Sequence, residues 1–248
     1  MRVKLKLRLD SPSIPKDNKS IWISFFKSAL GVYEDGKYLD TYFGRSALKD
    51  YTFTILYPKP KFNAADISLG SNHVTMIFSA DDRKGTGKVF LNAFLDAEEN
   101  KRIFRYKNGR SIVIEHVERV REVMITESKV LFKIVPGSGL CVRVHYGPQR
   151  DDQYYKFSDP QFSSALYNIL VHDATKAGFS KEEAEAVKVT PVDCRKSVVQ
   201  HFGISVVVTL GTLLIEGSPD ILNYFYQAGF GSRHSLGYGL LDVLKQGD

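Results

Sequence analysis

The sequence is poor in cysteine and has no long apolar run. Its 248 residues include two cysteines, Cys141 and Cys194, which lie far apart and in no CxxC pair. This argues against a disulfide framework and a cysteine-rich zinc site. The longest apolar stretch, residues 204–215, is shorter than the about 20 residues that a bilayer requires. The helix-like run at 21–30 contains Lys27 and lacks a signal-peptide cleavage site. We therefore expect reduced thiols, no membrane segment and a cytoplasmic location.

The sequence also lacks the motifs of the common nucleotide and metal sites. It contains no GxxxxGK[ST] segment, and His234 stands where the third glycine of GxGxxG would fall in its glycine-rich segment. No two histidines combine metal-ligand spacing with a carboxylate partner. We therefore expect no cofactor and no catalytic metal.

The composition is that of a globular protein with a modest excess of positive charge. Hydrophobic residues make up 43% and charged residues 25%, and 34 Lys and Arg against 28 Asp and Glu leave a net charge of +6. The length fits one large domain or two of about 120 residues each. The charge favours an acidic or nucleic-acid partner, but many basic proteins bind no nucleic acid.

The periodicity along the chain predicts two consecutive β-α-β-β-α-β units. Residues 2–9 alternate apolar and cationic side chains, which is typical of a half-buried strand with one basic face. The remaining predicted strands are 51–57, 73–80, 111–125, 130–136, 195–201, 204–215 and 236–244, and the predicted helices are 21–30, 86–98, 160–177, 181–187 and one from 218. We therefore predict an α+β protein of two tandem ferredoxin-like, RRM-like units, residues 1–126 and 127–248, with a glycine-rich loop near the C-terminus.

That loop, residues 229–239, is the most informative segment of the sequence. It reads GFGSRHSLGYG between the last predicted helix and the last strand. Glycines permit positive φ angles and let a phosphate chain approach the backbone amides. Arg233 and His234, expected at the loop tip, add donors that suit phosphate oxygens. A tight packing loop would also explain the glycines, but it explains the Arg-His pair poorly.

Four segments resemble a known family. They are GFGSRHSLGYGLLDVL at 229–244, RKSVVQHFG at 195–203, LIEGSPD at 214–220 and KDYTFT at 49–54. The sequence resembles the CRISPR repeat-processing endoribonucleases of the RAMP superfamily, which are tandem ferredoxin-like RNA-binding proteins. The resemblance covers nearly the whole chain, and the glycine loop is specific to the superfamily.

The resemblance implies a metal-independent endoribonuclease that binds the repeat of precursor CRISPR RNA and cuts once in each repeat. The ribose 2′-OH attacks the adjacent phosphate, which leaves a 2′,3′-cyclic phosphate and a 5′-OH. This reaction requires a base, an acid and a cation for the phosphorane charge. A catalytically inactive RNA-binding RAMP subunit of an effector complex is the alternative, and a generic RNA-binding protein outside CRISPR is a third. Other CRISPR effector subunits are candidate partners, and we expect a monomer or a homodimer.

The expected catalytic residues depart from the family pattern. Many members carry a histidine after the first helix, but residues 36–49 contain none. That stretch offers Tyr42, Arg45 and Lys49, although a tyrosine with its usual pKa of about 10 is a poor base. His201, expected in an exposed place at a hairpin turn, is the best replacement for the base. The histidines at 73, 116 and 172 are interpreted as structural, and His145 as a candidate RNA contact.

The expected RNA-binding residues are the glycine loop and two basic pairs. They are Gly229, Gly231, Ser232, Arg233, His234, Ser235, Gly237 and Gly239 in the loop, with Arg195, Lys196, Lys59 and Lys61 as backbone contacts. The basic face of the first strand is a further candidate surface.

Overall fold

The computed structural model describes residues 1–44, 49–146 and 151–247. The first half contains β1 (Arg2–Leu9), β2 (Ser13–Pro15), α1 (Lys19–Val32), α2 (Leu39–Phe43), β3 (Tyr51–Leu56), β4 (Lys61–Phe62), β5 (Asp66–Ser68), β6 (His73–Ala80), α3 (Thr86–Glu99), β7 (Ile103–Arg105) and β8 (Ser111–Arg119). The second contains β9 (Lys129–Ile134), β10 (Val142–Tyr146), β11 (Asp151–Tyr155), α4 (Phe162–Lys176), α5 (Lys181–Glu185), β12 (Lys188–His201), β13 (Ile204–Glu216), α6 (Pro219–Ala228) and β14 (Leu241–Gln246).

Each half is built on an antiparallel sheet with the same strand order. The first sheet runs β3-β6-β1-β8-β7 and the second β12-β13-β9-β14. When the four main strands of each half are counted along the chain, both sheets read second, third, first, fourth. With the intervening helices this is the ferredoxin-like β-α-β-β-α-β arrangement, so the predicted fold class is confirmed. A division at residue 126 stays a prediction.

The two halves have separate hydrophobic cores. Buried residues between Val3 and Val117 form one cluster, and most of those between Ile125 and Leu241 form another. In the first cluster, Phe26 of α1 packs edge-on against Phe53 and Phe78 of the sheet and against Phe90 of α3. Both helices therefore cover the same face of the first sheet.

The element boundaries differ from the sequence prediction in a few places. The strand predicted to 125 ends at Arg119, because Arg119 already pairs with Val3 and β1 begins one residue earlier. The last strand begins at Leu241 and not at 236, because Gly237 and Gly239 have φ angles of 83° and 68° that a strand does not accommodate. The small sheet β2-β5-β4, the edge strand β7 and the hairpin β10–β11 were not predicted. Their strands have two to five residues, too few for a clear hydrophobic pattern.

The basic face of β1 is not a free RNA surface. Arg2 is 4% exposed, and its guanidinium donates to the Asp242 carboxylate at 2.5 Å and to the Leu241 carbonyl at 2.8 Å. Lys4 and Arg8 pair with Glu118 and Glu115 of β8. Neighbouring carboxylates therefore neutralise most of this face, which corrects the expectation from sequence.

The glycine-rich segment, residues 229–239, lies between the two sheets. The Thr52 hydroxyl of β3 donates to the Tyr238 carbonyl at 2.7 Å, and Lys19 Nζ of α1 donates to the Gly237 carbonyl at 3.0 Å. Within the segment, the amide of Phe230 donates to the Gly239 carbonyl at 3.0 Å. A Cβ on Gly239 would overlap the Phe230 carbonyl oxygen. The close packing is therefore one reason why this position is glycine.

We predict that Gly239→Ala destabilises the protein by about 3 kcal/mol or more, because the strain of a positive φ adds to an overlap with a backbone atom. Gly109→Ala is the matched control, since Gly109 has a similar φ of 71° and nothing within 4 Å of its Cβ position. That variant is expected to lose about 1 kcal/mol. Urea unfolding measures the free energy of unfolding of both variants. Equal losses would show that the overlap with the Phe230 carbonyl does not contribute.

Candidate functional site

A large cleft opens beside the glycine-rich segment. It has a volume of about 900 Å³ and brings together Lys49 before β3, the exposed face of α4, part of β10 and the middle of the glycine-rich segment. The polar side chains lining it are Lys49, Arg143, His145, Asn168, His172, Asp173, Lys176, Ser232, Arg233, His234 and Ser235. Most of the ionisable groups are basic, so the cleft suits an anionic ligand.

One face of α4 supplies three of these side chains at helical spacing. Asn168, His172 and Lys176 are four residues apart, which places them one above another on the exposed side of the helix. The interpretation of His172 as a structural residue is therefore wrong, because it is exposed and lines the cleft. The adjacent Asp173 is partly buried, and burial raises the pKa of its carboxyl group.

His234 has a defined orientation in the cleft. Its Nδ1 lies 3.1 Å from the Tyr51 carbonyl oxygen, and because a carbonyl only accepts, Nδ1 carries the hydrogen. Its Nε2 lies 4.0 Å from Asp173 Oδ2. In the neutral ring, Nε2 therefore has a free lone pair on the cleft side.

Arg233 is held between two groups. One terminal nitrogen lies 2.7 Å from His201 Nε2, and the other donates to Asp152 Oδ2 at 2.7 Å. The same carboxylate accepts from both Arg143 and His145. Burial alone would raise the pKa of Asp152, but the hydrogen bonds and charges of these neighbours lower it to about 2.

His201 is buried and not exposed, which corrects the sequence expectation. Its side chain is 1% exposed, and Nδ1 lies 3.1 Å from the Tyr238 hydroxyl. Burial, followed by the nearby positive charge of Arg233, lowers the pKa of His201 to about 4. Both ring nitrogens are occupied, so the geometry does not support a role as general base.

The candidates from residues 36–49 divide into three cases. Tyr42 is 2% exposed, its ring packs against Phe90, and its hydroxyl contacts Thr86, so its expected catalytic position is wrong. Lys49 lines the cleft, and desolvation and the charges of nearby lysines lower its pKa. Arg45 lies outside the described residues.

The glycine-rich segment does not form the open cradle expected from the sequence. The amide of Ser232 donates to the Cys141 carbonyl, and that of Gly239 to the Gly139 carbonyl. A Cβ on Gly231 would lie 2.8 Å from the Cys141 carbonyl oxygen. The positive φ angles at these glycines therefore serve close packing, Gly229 and Gly237 against the first half and Gly231 and Gly239 within the second half. The side chains of Arg233, His234 and Ser235 face the cleft.

The two basic pairs lie elsewhere. Lys59, Lys61, Arg195 and Lys196 are all exposed, and none is among the described residues that line the cleft. A second groove, of about 290 Å³, is lined by Tyr57, Phe62, residues 137–139 and residues 197–200. Each pair is close in sequence to lining residues of this groove but is not itself among them, so the structure does not bring the basic pairs together with the glycine-rich segment in one cleft.

Sequence reasoning missed several groups of the cleft. The spacing of Asn168, His172 and Lys176 is a signal that was available in the sequence. No such signal marks Asp152, because only the register of the β10–β11 hairpin brings it opposite His145.

Cys141 is buried and Cys194 is partly exposed, and both are free thiols.

The described residues offer neither a metal site nor a membrane-spanning helix. They contain no group of three or more His, Cys, Asp or Glu side chains that could hold a metal ion. None of the helices among them is both long enough and apolar enough to cross a membrane.

Comparison with known proteins identifies the family. The family described as CRISPR associated protein Cas6, C-terminal, matches residues 118–243, which is just over half of the chain. The chain belongs to the Cas6 family. No curated protein matches the sequence significantly.

Solved structures extend the likeness along the entire Cas6 fold. A Cas6-related protein from Pyrococcus furiosus has a TM-score of 0.79 at 16% identity, and the match covers 100% of this chain and 99% of that one. A structure described as an RAMP protein binding different RNA substrates has a TM-score of 0.77 at 17% identity, over 99% and 100% of the two chains. A CRISPR associated protein Cas6 gives 0.73 at 14% identity, over 99% of both. These matches show the shared fold.

We predict that the buried His201 makes stability depend on pH. Its folded pKa of about 4 is below the unfolded value of about 6.5, so the unfolded chain binds the proton first. The free energy of unfolding should fall by up to about 3 kcal/mol as the pH decreases from 6.5 to 4. In His201→Gln this part of the slope should vanish, while the control His116→Gln, at an exposed position, should keep it. Urea unfolding between pH 4 and 6.5 measures this pH dependence. An unchanged slope in His201→Gln would show that His201 is not its source.

Proposed function

We propose that the protein binds the repeat of precursor CRISPR RNA and cleaves it once, without a metal, by attack of a ribose 2′-OH on the adjacent phosphate. The observation that carries the proposal is the composition of the cleft, which combines three imidazoles, among them His172 and His234, with cations that include Lys49, Lys176 and Arg233. Imidazoles suit proton transfer near neutral pH, and fixed cations suit the charge of a phosphorane.

The imidazoles of His234 and His172 carry out the two proton transfers. His234 is the base, because its Nδ1 hydrogen is bonded to the Tyr51 carbonyl and its Nε2 lone pair is free to accept the 2′-OH proton. The 2′ oxygen forms a bond to phosphorus as the bond from phosphorus to the 5′ oxygen breaks. His172, in its protonated form, donates a proton to the departing 5′ oxygen. The products are a 2′,3′-cyclic phosphate and a 5′-OH.

The cations of the cleft stabilise the charge that develops on the phosphate oxygens. Burial lowers the pKa of Lys49, and the nearby charges of Lys27 and Lys176 lower it further. An RNA phosphate between Lys49 and Lys176 would relieve that repulsion, which favours binding at this point of the cleft. Arg45, four residues before Lys49, stays a prediction for the same role.

The second groove would hold another part of the RNA. Lys16 and Lys19 line it with positive charge, Lys59 and Lys61 lie between its lining residues Tyr57 and Phe62 in the sequence, and Arg195 and Lys196 precede its wall on β12. Phe62 lines it and is 66% exposed, so its ring is available for a base to stack on. A structural relative, described as an RAMP protein binding different RNA substrates, supports RNA as the ligand.

The alternative function is RNA binding without cleavage. The observation that favours it is the absence of histidine from residues 36–49, where many members of the family carry one. Association with other CRISPR effector subunits, as a monomer or a homodimer, also stays a prediction.

We predict that the protein cleaves its repeat RNA in the presence of EDTA and leaves a cyclic phosphate end. His234→Asn should lower the single-turnover rate at least about 100-fold, because it removes the base but retains a donor for the Tyr51 carbonyl. RNA affinity should change little. His73→Asn, at an exposed histidine outside the cleft, is the control and should cleave normally. Binding without cleavage by the wild type would favour the alternative function.

We predict that Phe62→Ala weakens RNA binding about tenfold, because a stacked base contributes about 1–3 kcal/mol. Ile103→Ala removes a comparably exposed apolar side chain, 57% exposed, from the edge strand β7 and should bind as the wild type does. Fluorescence anisotropy with labelled repeat RNA measures both. If Phe62→Ala binds with wild-type affinity, the second groove does not contact the RNA.

A further inference from the structure

A small polar pocket adjoins the cleft where β10 and β11 meet the glycine-rich segment. It has a volume of about 400 Å³ and is lined by Arg143, His145, Asp152 and Arg233. Asp152 accepts from Arg143 at 3.0 and 3.1 Å, from His145 at 3.1 Å and from Arg233 at 2.7 Å. One carboxylate thus faces two permanently charged guanidinium groups, so the pocket has an excess of positive charge.

The two guanidinium groups also have donors to spare. Each carries five N–H bonds, and Asp152 engages one terminal nitrogen of each group. The Nε atoms of Arg143 and Arg233 are both buried and make no hydrogen bond. Both side chains line the large cleft as well as the pocket and are 36% and 18% exposed, so an anion in the cleft can reach the exposed part of each, although not the buried Nε atoms.

Arg233 is fixed on the side opposite Asp152 by His201. Since a guanidinium has no acceptor, the 2.7 Å contact requires an unprotonated Nε2 on His201. The hydrogen on Nδ1 then points to the Tyr238 hydroxyl at 3.1 Å. A charged imidazole could not accept from Arg233, so the neutral state of His201 is needed to hold the guanidinium in place.

We propose that Arg143 and Arg233 form a subsite for one backbone phosphate of the bound RNA, and that His201 is a positioning residue for Arg233. The proposal rests on the RNA-binding function proposed above. Planar guanidinium groups match the oxygens of a phosphate in pairs. Asp152 orients both groups before binding, and His201 holds Arg233 from the other side. The subsite adjoins the proposed reaction centre through the neighbouring residues Arg233 and His234, and so fixes the position of the RNA backbone beside it.

The test uses repeat RNAs in which one phosphate at a time is replaced by an uncharged methylphosphonate. With the wild type, one linkage near the cleavage point should weaken binding about tenfold when it is neutralised, as for loss of a charged hydrogen bond. Arg233→Gln should bind the unmodified RNA about tenfold more weakly and show no further loss at that linkage. Arg143→Gln is a second, independent variant with the same expectation. Arg105→Gln, at an exposed arginine on β7, is the control and should retain the wild-type response.

His201 is tested by two substitutions in the same assay. His201→Phe keeps a ring but removes the acceptor, so the response at that linkage should disappear. His201→Gln restores an acceptor and should recover part of it. A purely structural role would lower affinity for every RNA equally and leave the response at the linkage unchanged, which would overturn the positioning role.

Other outcomes separate the proposals. If RNA binds but the response persists in both arginine variants, the subsite is wrong and the RNA-binding function stands. If the wild type binds no RNA, both fail. A further experiment adds inorganic phosphate in place of RNA. If it perturbs the Arg233 side-chain NMR signals while no RNA linkage shows a response, the pocket takes free phosphate and the assignment to RNA is overturned.

Discussion

The functional surface depends on how the glycine-rich segment is fastened between the two sheets. Thr52 and Lys19, both from the first half, donate to the carbonyls of Tyr238 and Gly237, so the first half holds a segment that belongs to the second. Gly239 has no room for a Cβ because the segment folds back on itself at Phe230. With the backbone held in this way, Arg233 and His234 lie at the cleft, where Asp152, His201 and the Tyr51 carbonyl orient their side chains. The glycines therefore act on the ligand indirectly, by placing two basic side chains.

Tyr238 joins two buried groups that would otherwise be costly to desolvate. Its ring lies 4.4 Å from Lys19 Nζ, and its hydroxyl contacts His201. Burial lowers the pKa of Lys19 to about 8 and that of His201 to about 4, so both groups favour their neutral forms more than they would in water. A neutral imidazole is the form that accepts from Arg233. The low-dielectric interior thus maintains the hydrogen-bond acceptor on which the orientation of the guanidinium depends.

Local sequence patterns predicted the strands whose bounds depend on the alternation of neighbouring side chains. The alternation at residues 2–9 predicted the exact bounds of β1, and the run at 73–80 those of β6, because a half-buried strand needs a period of two. The burial of His201 could not be predicted from a local sequence pattern. It ends a strand at a hairpin turn, a place that is usually exposed. Its ring is contacted by Arg233 and Tyr238, which come 32 and 37 residues later in the chain. The same limit applies to Asp152, whose partners are assembled by tertiary contacts.

Residues 36–49 contain no histidine, but other elements of the fold supply imidazoles to the cleft. In this protein the segment before β3 contributes Lys49 to the cleft, while α4 and the glycine-rich segment contribute the imidazoles of His172 and His234. A phosphate in the cleft would meet a cation from the first half and proton-transfer groups from the second. The second half supplies the imidazoles and the cations of Lys176 and Arg233, and the first half adds Lys49, so the chemistry proposed here uses both units. The buried contacts of Arg2, Lys19 and Thr52 across the junction are what keep the walls of the cleft in register.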